Sequence, residues 1–192
     1  MTNIKMDSDK IRFLAAIKAA ELKGDEKVLD LGCGRCALKR FLPKSINYTG
    51  IDFPAIGKHY GLDFKNKEII YANLEKGIPS KIKNRKFDVI FLLEVLEHIE
   101  HFKSLLIECK EILNKNGRIV ITTPSNMRFI TGEDKGHIHC FRKTNLKNLA
   151  IVCGLKIRKI QGAYIRIPFF EIYIPSRNKV YTEHFICIMG KE

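Results

Sequence analysis

The stretch Val28-Leu29-Asp30-Leu31-Gly32-Cys33-Gly34-Arg35-Cys36-Ala37 constrains this chain more than any other. Val28 to Leu31 is a short apolar run carrying a carboxylate and flanked by charge, which predicts a buried strand. Two glycines two apart then let the backbone turn tightly and come close to a ligand. Residues Ala37 to Leu42 predict the first turns of a helix, which Pro43 stops. Strand, glycine turn and helix in that order form the nucleotide end of a doubly wound α/β sheet. A Gly-x-Gly by itself occurs in many surface turns, so a second feature is needed.

Tyr48-Thr49-Gly50-Ile51-Asp52 supplies it: a second short strand whose closing carboxylate follows the glycines by about 20 residues, where such sheets place the acid that holds ribose hydroxyls. Phe87-Asp88-Val89-Ile90 and Asn116-Gly117-Arg118-Ile119-Val120-Ile121 continue the order. With Asp30-Leu31-Gly32-Cys33-Gly34 and Gly50-Ile51-Asp52, this set resembles class I S-adenosylmethionine-dependent methyltransferases over residues 25 to 160. The resemblance implies S-adenosylmethionine as cofactor. It gives the methionine part to Asp30 and the backbone of Gly32, Cys33 and Gly34, the ribose to Asp52, and the adenine to Asn73, with Phe53, Leu74 and Glu94 beside them. An Asp is usual at the position of Asn73; Asn can still accept through its carbonyl oxygen. Similar enzymes often have a third glycine where this chain has Cys36.

The rest of the chain alternates strand and helix, which predicts a mostly parallel sheet. A helix is expected from Ser8 or Asp9 to about Leu22, ended by Gly24, and a short one over Pro54 to Tyr60, closed by Gly61. Strands follow at Glu68 to Ala72, Phe87 to Leu93 and Arg118 to Thr123, with a solvated basic loop from Ile78 to Lys86. Phe102, Leu105, Leu106, Cys109, Ile112 and Leu113 mark a helix closed by Asn116-Gly117. Pro124 to Asn126 form an exit loop, Gly132 to Gly136 a polar stretch, and Thr144 to Cys153 a further helix. Leu155 to Ile160 and Glu183 to Met189 read as the last two strands. The expected fold is Rossmann-like and doubly wound: seven strands, mostly parallel with an antiparallel last strand, and helices on both faces. At 192 residues this is a single domain, with a helix over 1–24, a core over 25–160, an acceptor-site insertion over 161–182 and a closing strand over 183–192.

Composition excludes some classes. No apolar run is long enough to span a bilayer, and the polar opening Met1 to Lys10 does not read as a signal peptide. The six cysteines lie scattered, four of them in apolar patterns, which suits buried thiols in a reducing cytoplasm. Cys33 and Cys36 have redox or zinc spacing, but they sit inside the glycine turn and no second Cys-x-x-Cys completes a site. The formal charge of +13 favours a polyanionic partner, or is background lysine on a solvated surface.

Glu94, Glu97 and His98 stand at i, i+3 and i+4, so one helical turn puts all three on one face. Two carboxylates and an imidazole suit Mg²⁺ or Mn²⁺, and the segment holding His137 and His139 supplies a fourth ligand, His139, or a general base. The pattern is similar to the metal site of ubiquinone-pathway O-methyltransferases and of small-RNA 2′-O-methyltransferases. In the competing reading Glu94 lines the cofactor pocket, Glu97 and His98 cap the next helix, and the later histidines are structural. The leading expectation is a cytoplasmic methyltransferase acting on an oxygen of a small-molecule or sugar-like acceptor, with His98, His137 and His139 as candidate catalytic groups. An RNA acceptor, read from Arg142, Lys143, Lys147, Lys156, Arg158 and Lys159, and a non-catalytic binding module of the same fold are the alternatives.

Overall fold

The computed structural model describes residues 8–53, 69–125, 137–167, 172–175 and 184–191. The short helix expected over Pro54 to Tyr60 and the polar stretch Gly132 to Gly136 lie outside these residues. Nine strands are described: β1 (Lys27–Leu31), β2 (Asn47–Asp52), β3 (Ile69–Tyr71), β4 (Phe87–Leu93), β5 (Leu113–Pro124), β6 (Lys156–Gly162), β7 (Tyr164–Ile167), β8 (Ile172–Pro175) and β9 (His184–Gly190). The helices are α1 (Ser8–Ala20), α2 (Ser80–Lys83), α3 (Phe102–Ile112) and α4 (Lys143–Val152).

Seven strands form one sheet in the order β3-β2-β1-β4-β5-β9-β6. β1 to β5 pair in parallel, and β9 runs antiparallel to both β5 and β6. This is the expected doubly wound sheet. Side chains alternate between two cores because successive strand residues face opposite ways. Leu29, Leu31, Ile90, Leu92, Ile119 and Ile121 pack under α3 and α4 on one face. Val28, Val89, Phe91 and Val120 pack against Ile11, Ala16 and Ala20 of α1 on the other. The chain order reverses between β1 and β4, so their carboxyl ends open the crevice in which such sheets bind ligands.

Several boundaries differ from the sequence reading, and those of α1 and α3 do so for a tertiary reason. α1 ends at Ala20 rather than Leu22, with Glu21 in the left-handed region at φ 53°. Arg118 of β5 reaches across to that end: its Nε donates to Ala20 O, and its guanidinium binds both Glu26 oxygens at 2.8 Å. α3 ends at Ile112, not at Asn116-Gly117, and β5 starts at once. Two ammonium groups stand at that helix end, Lys86 Nζ donating to Glu111 O and Lys191 Nζ to Leu113 O. The residues after the glycine turn form a 3-10 turn over Leu38–Phe41, not an α-helix. The basic loop Ile78 to Lys86 contains the one-turn helix α2. The insertion over 161–182 contains an antiparallel pair, β7 with β8, in a small sheet of its own, and β8 runs against α1. Among the described residues no helix is long and apolar enough to cross a membrane, and all six cysteines are thiols.

Glu26 is half-buried, which alone would raise its carboxyl; the hydrogen bonds from Arg118 and the Lys23 N–H, with the Arg118 charge, outweigh that and lower it. A lowered carboxyl adds stability at neutral pH that is lost as pH falls below the ordinary value. Arg118→Ala is expected to cost about 1.5–3 kcal/mol in urea unfolding at pH 7, because it strips a bidentate partner and two backbone carbonyls. The loss should shrink at acid pH; a loss that does not change with pH would show that packing, not the ion pair, carries the effect.

Candidate active site

At the end of β1 the backbone turns through Gly32 (φ +73°) and Gly34 (φ +53°), a region that side chains disfavour. A Cβ on Gly32 would stand 2.4 Å from Val95 Cγ2, whereas one on Gly34 would meet nothing within 4 Å. The first glycine therefore lets β4's exit segment pack under the turn, and the second keeps a space open above it. Gly32 N–H and Cys33 N–H donate to Ile51 O, at 2.8 and 3.0 Å, and Gly34 N–H donates to Asp52 Oδ2 at 2.5 Å. Phe53 N–H donates to the other Asp52 oxygen at 2.6 Å. The glycine bend and the second carboxylate thus adjoin. Cys36, where a third glycine is usual in the resembling enzymes, holds the left-handed conformation itself at φ 55°. That costs about 1–2 kcal/mol and leaves the turn intact. Its thiol lies 3.9 Å from that of Cys33.

A hollow of about 390 Å³ opens above the turn, lined among others by Asp30, Gly32, Gly34, Leu93 and, from α1, Arg12 and Phe13. Asp30 is buried and accepts from Tyr48 Oη at 2.7 Å. Burial pushes its carboxyl up to about 7; the Tyr48 hydrogen bond opposes this, and the nearby Cys36 and Asp52 add to it. Asp52 is also raised by burial, against its two backbone N–H donors. Arg12 was not anticipated from sequence. Its Nη2 stands 2.7 Å from Asp9 Oδ1 one turn earlier, and its Nε is buried without a hydrogen-bond partner among the described residues. Phe53 is exposed at the end of β2, and Leu74 is buried. Asn73 Oδ1 accepts from Glu75 N–H at 2.9 Å, capping a 3-10 turn at the end of β3.

This assembly of glycine bend, two carboxylates and crevice agrees with a family match. Residues 5–160 fit the model of a methyltransferase domain. The chain belongs to that family. It is 30% identical over 161 residues to an uncharacterized protein of Methanocaldococcus jannaschii, covering 83% of this chain and 68% of that one. It is 28% identical over 131 residues to the mitochondrial ubiquinone biosynthesis O-methyltransferase of Schizosaccharomyces pombe, covering 62% and 46%. The chain spans about half the length of most of the curated relatives it matches. In fold it is similar to an S-adenosylmethionine-dependent methyltransferase from Clostridium acetobutylicum, with a TM-score of 0.67 at 14% identity over 97% of this chain and 92% of that one.

The acidic segment after β4 is rearranged relative to the one-turn expectation. Glu94 takes a left-handed conformation (φ 59°), so the helical phase is broken before the 3-10 turn Leu96–His98 begins. Its carboxylate turns to β5 and β9, with Oε1 2.8 Å from Thr122 Oγ1 and Oε2 2.8 Å from His184 Nδ1. Glu97, His98 and His137 gather instead, their ligand-capable atoms all within 4.8 Å of one another. Glu97 is fully buried, and the backbone N–H groups of Ile138 and His139 donate to its carbonyl at 2.9 and 3.2 Å, which brings His137 to the segment. His139 stands apart from this set. It packs edge-on against Phe102 at 4.7 Å, and its Nε2 is buried without a hydrogen-bond partner among the described residues. His184 had no local signal in the sequence.

The glycine geometry separates two substitutions. Gly32→Ala should unfold the protein more easily by about 2–4 kcal/mol, from backbone strain plus overlap with Val95. Gly34→Ala should cost only about 1 kcal/mol in stability while its methyl group intrudes on the hollow. Thermal melts of the pair check this; equal losses would contradict the packing described.

Proposed function

We propose that this chain binds S-adenosylmethionine in the hollow above the glycine bend and transfers its methyl group to an oxygen of a small-molecule or sugar-like acceptor. The observation that carries the reading is the contact of Gly34 N–H with Asp52 beneath an open hollow. The residues fit the cofactor group by group. Asp30 faces its ammonium, Arg12 its carboxylate, and Asp52 keeps a second lone pair on each oxygen for the ribose hydroxyls. Phe53 offers an exposed ring to the adenine, and Asn73 retains a second lone pair beyond its cap. Methyl transfer from a sulfonium is an in-line displacement whose chief need is alignment, and well-oriented pairs gain effective molarities of about 10⁵ to 10⁸ M.

A hydroxyl acceptor must also lose its proton. Glu97, His98 and His137 would hold one divalent cation, which lowers the acidity threshold of a bound hydroxyl. This donor set has one carboxylate and two imidazoles, not the two carboxylates read from sequence, so it favours Mn²⁺ over Mg²⁺. Two of the basic residues that suggested RNA lie apart: Lys159 reaches Glu21 at 3.8 Å beyond α1, while Lys147 lies on α4, which packs on the opposite face of the sheet. The small-molecule reading is therefore retained.

Because Asp30 ionises near 7, its attraction for an ammonium is absent below that pH and present above it. Calorimetry should show S-adenosylmethionine binding more tightly at pH 8 than at pH 6 by up to about tenfold, with Asp30→Asn weak and flat. Stability of the unliganded protein runs the other way, falling as pH rises from the ordinary carboxyl range through 7. Failure of the wild type to bind, or undiminished binding by Asp52→Asn, would remove the cofactor reading. For the cation, EDTA and His137→Ala are each expected to abolish transfer of labelled methyl to a hydroxyl acceptor, with Mn²⁺ restoring only the EDTA-treated enzyme. Transfer that persists in EDTA would refute a metal role.

A further inference from the structure

The cofactor hollow contains one feature that a carboxylate-bearing ligand cannot ignore. Arg12 lines it together with Leu93, yet two protein carboxylates compete for Arg12: Asp9, at 2.7 Å, and Glu94, the residue after Leu93, whose ionisation Arg12 favours. Glu94 is largely buried, with 16% of its side chain exposed. Burial alone would raise its carboxyl, but His184, then Arg12 and Thr122, bring it down to about 2, so it carries a full negative charge. A buried carboxylate takes whatever cation is within reach. Opposite charges in a site poor in water attract strongly, so an unengaged carboxylate would decide where a flexible guanidinium points.

His184 removes that competition. It is fully buried at the start of β9, in register with Pro124, and its Nδ1 lies 2.8 Å from Glu94 Oε2. Thr122 Oγ1 donates to the other oxygen. With both Glu94 oxygens engaged from the sheet side, Arg12 keeps its Nε without a hydrogen-bond partner among the described residues, beside the hollow. We infer that His184 is a positioning residue for the cofactor: by occupying the Glu94 carboxylate it leaves the Arg12 guanidinium to the carboxylate of the bound ligand. The inference rests on the reading of Arg12 given above.

The test uses two ligands on the full chain: S-adenosylmethionine, and 5′-methylthioadenosine, which lacks the amino-acid carboxylate. In calorimetric titrations His184→Gln should weaken S-adenosylmethionine about tenfold and leave 5′-methylthioadenosine within about twofold, since Glu94 then draws Arg12 away. The double variant E94Q/H184Q should recover S-adenosylmethionine affinity to within about twofold, because the competing charge is gone. E94Q alone should bind it at least as tightly as the wild type. Equal weakening of both ligands by H184Q, no weakening at all, or no recovery in the double variant would overturn the inference. Should H184Q fail to fold, E94Q decides: weaker S-adenosylmethionine binding by E94Q overturns it. Arg12→Gln tests the underlying reading separately. If R12Q binds S-adenosylmethionine like the wild type, Arg12 is not the carboxylate partner; if R12Q is weak while H184Q is unchanged, only the role of His184 fails.

Discussion

The hydrogen bond from Gly34 N–H to Asp52 joins the ends of β1 and β2, and the site is built around it. It requires a left-handed backbone at the glycine, a buried acid at the end of the neighbouring strand, and parallel pairing in the register that sets Asp30 against Gly50. The same turn needs β4 beside it, because Val95 fills the place where a side chain on Gly32 would stand. Three strands thus converge on a bend of few residues. Parallel strands with both faces covered supply the rigidity, since their side chains are packed on either side and cannot slide.

Three carboxylates, two buried and one largely so, crowd this end of the sheet, and the fold settles each differently. Asp30 accepts from the Tyr48 hydroxyl and shifts toward neutrality. Asp52 takes two backbone N–H groups, which fix its direction. Glu94 takes His184 and Thr122 and stays charged. Burying like charges together is unfavourable unless each has its own compensation. Arg12 reaches the hollow from α1 within range of this group, and its Nε has no hydrogen-bond partner among the described residues.

Much of the core was legible because its signals are local. Val28 to Leu31, Phe87 to Leu93 and the closing strand announce themselves through apolar runs, and the glycines through their spacing. Element ends were less legible. The early stop of α1 depends on Arg118, and that of α3 on Lys86 and Lys191, none of which lies near those ends in sequence. The acidic segment after β4 shows the same limit. Helical spacing put Glu94, Glu97 and His98 on one face, but the left-handed turn at Glu94 sends its side chain to β9 instead. His137 then joins the cluster because backbone N–H groups beyond it bind Glu97 O.

Sequence by itself determined the sheet's class, the position of the bend and the acids that flank it, since periodicity and glycine placement act over a few residues and need no partner. Tertiary structure alone decided which carboxylate lines the hollow and which faces the protein. That choice depends on cations and donors brought in by α1, β5 and β9. Electrostatic and hydrogen-bond energies depend on distance in space, and chain order does not encode it.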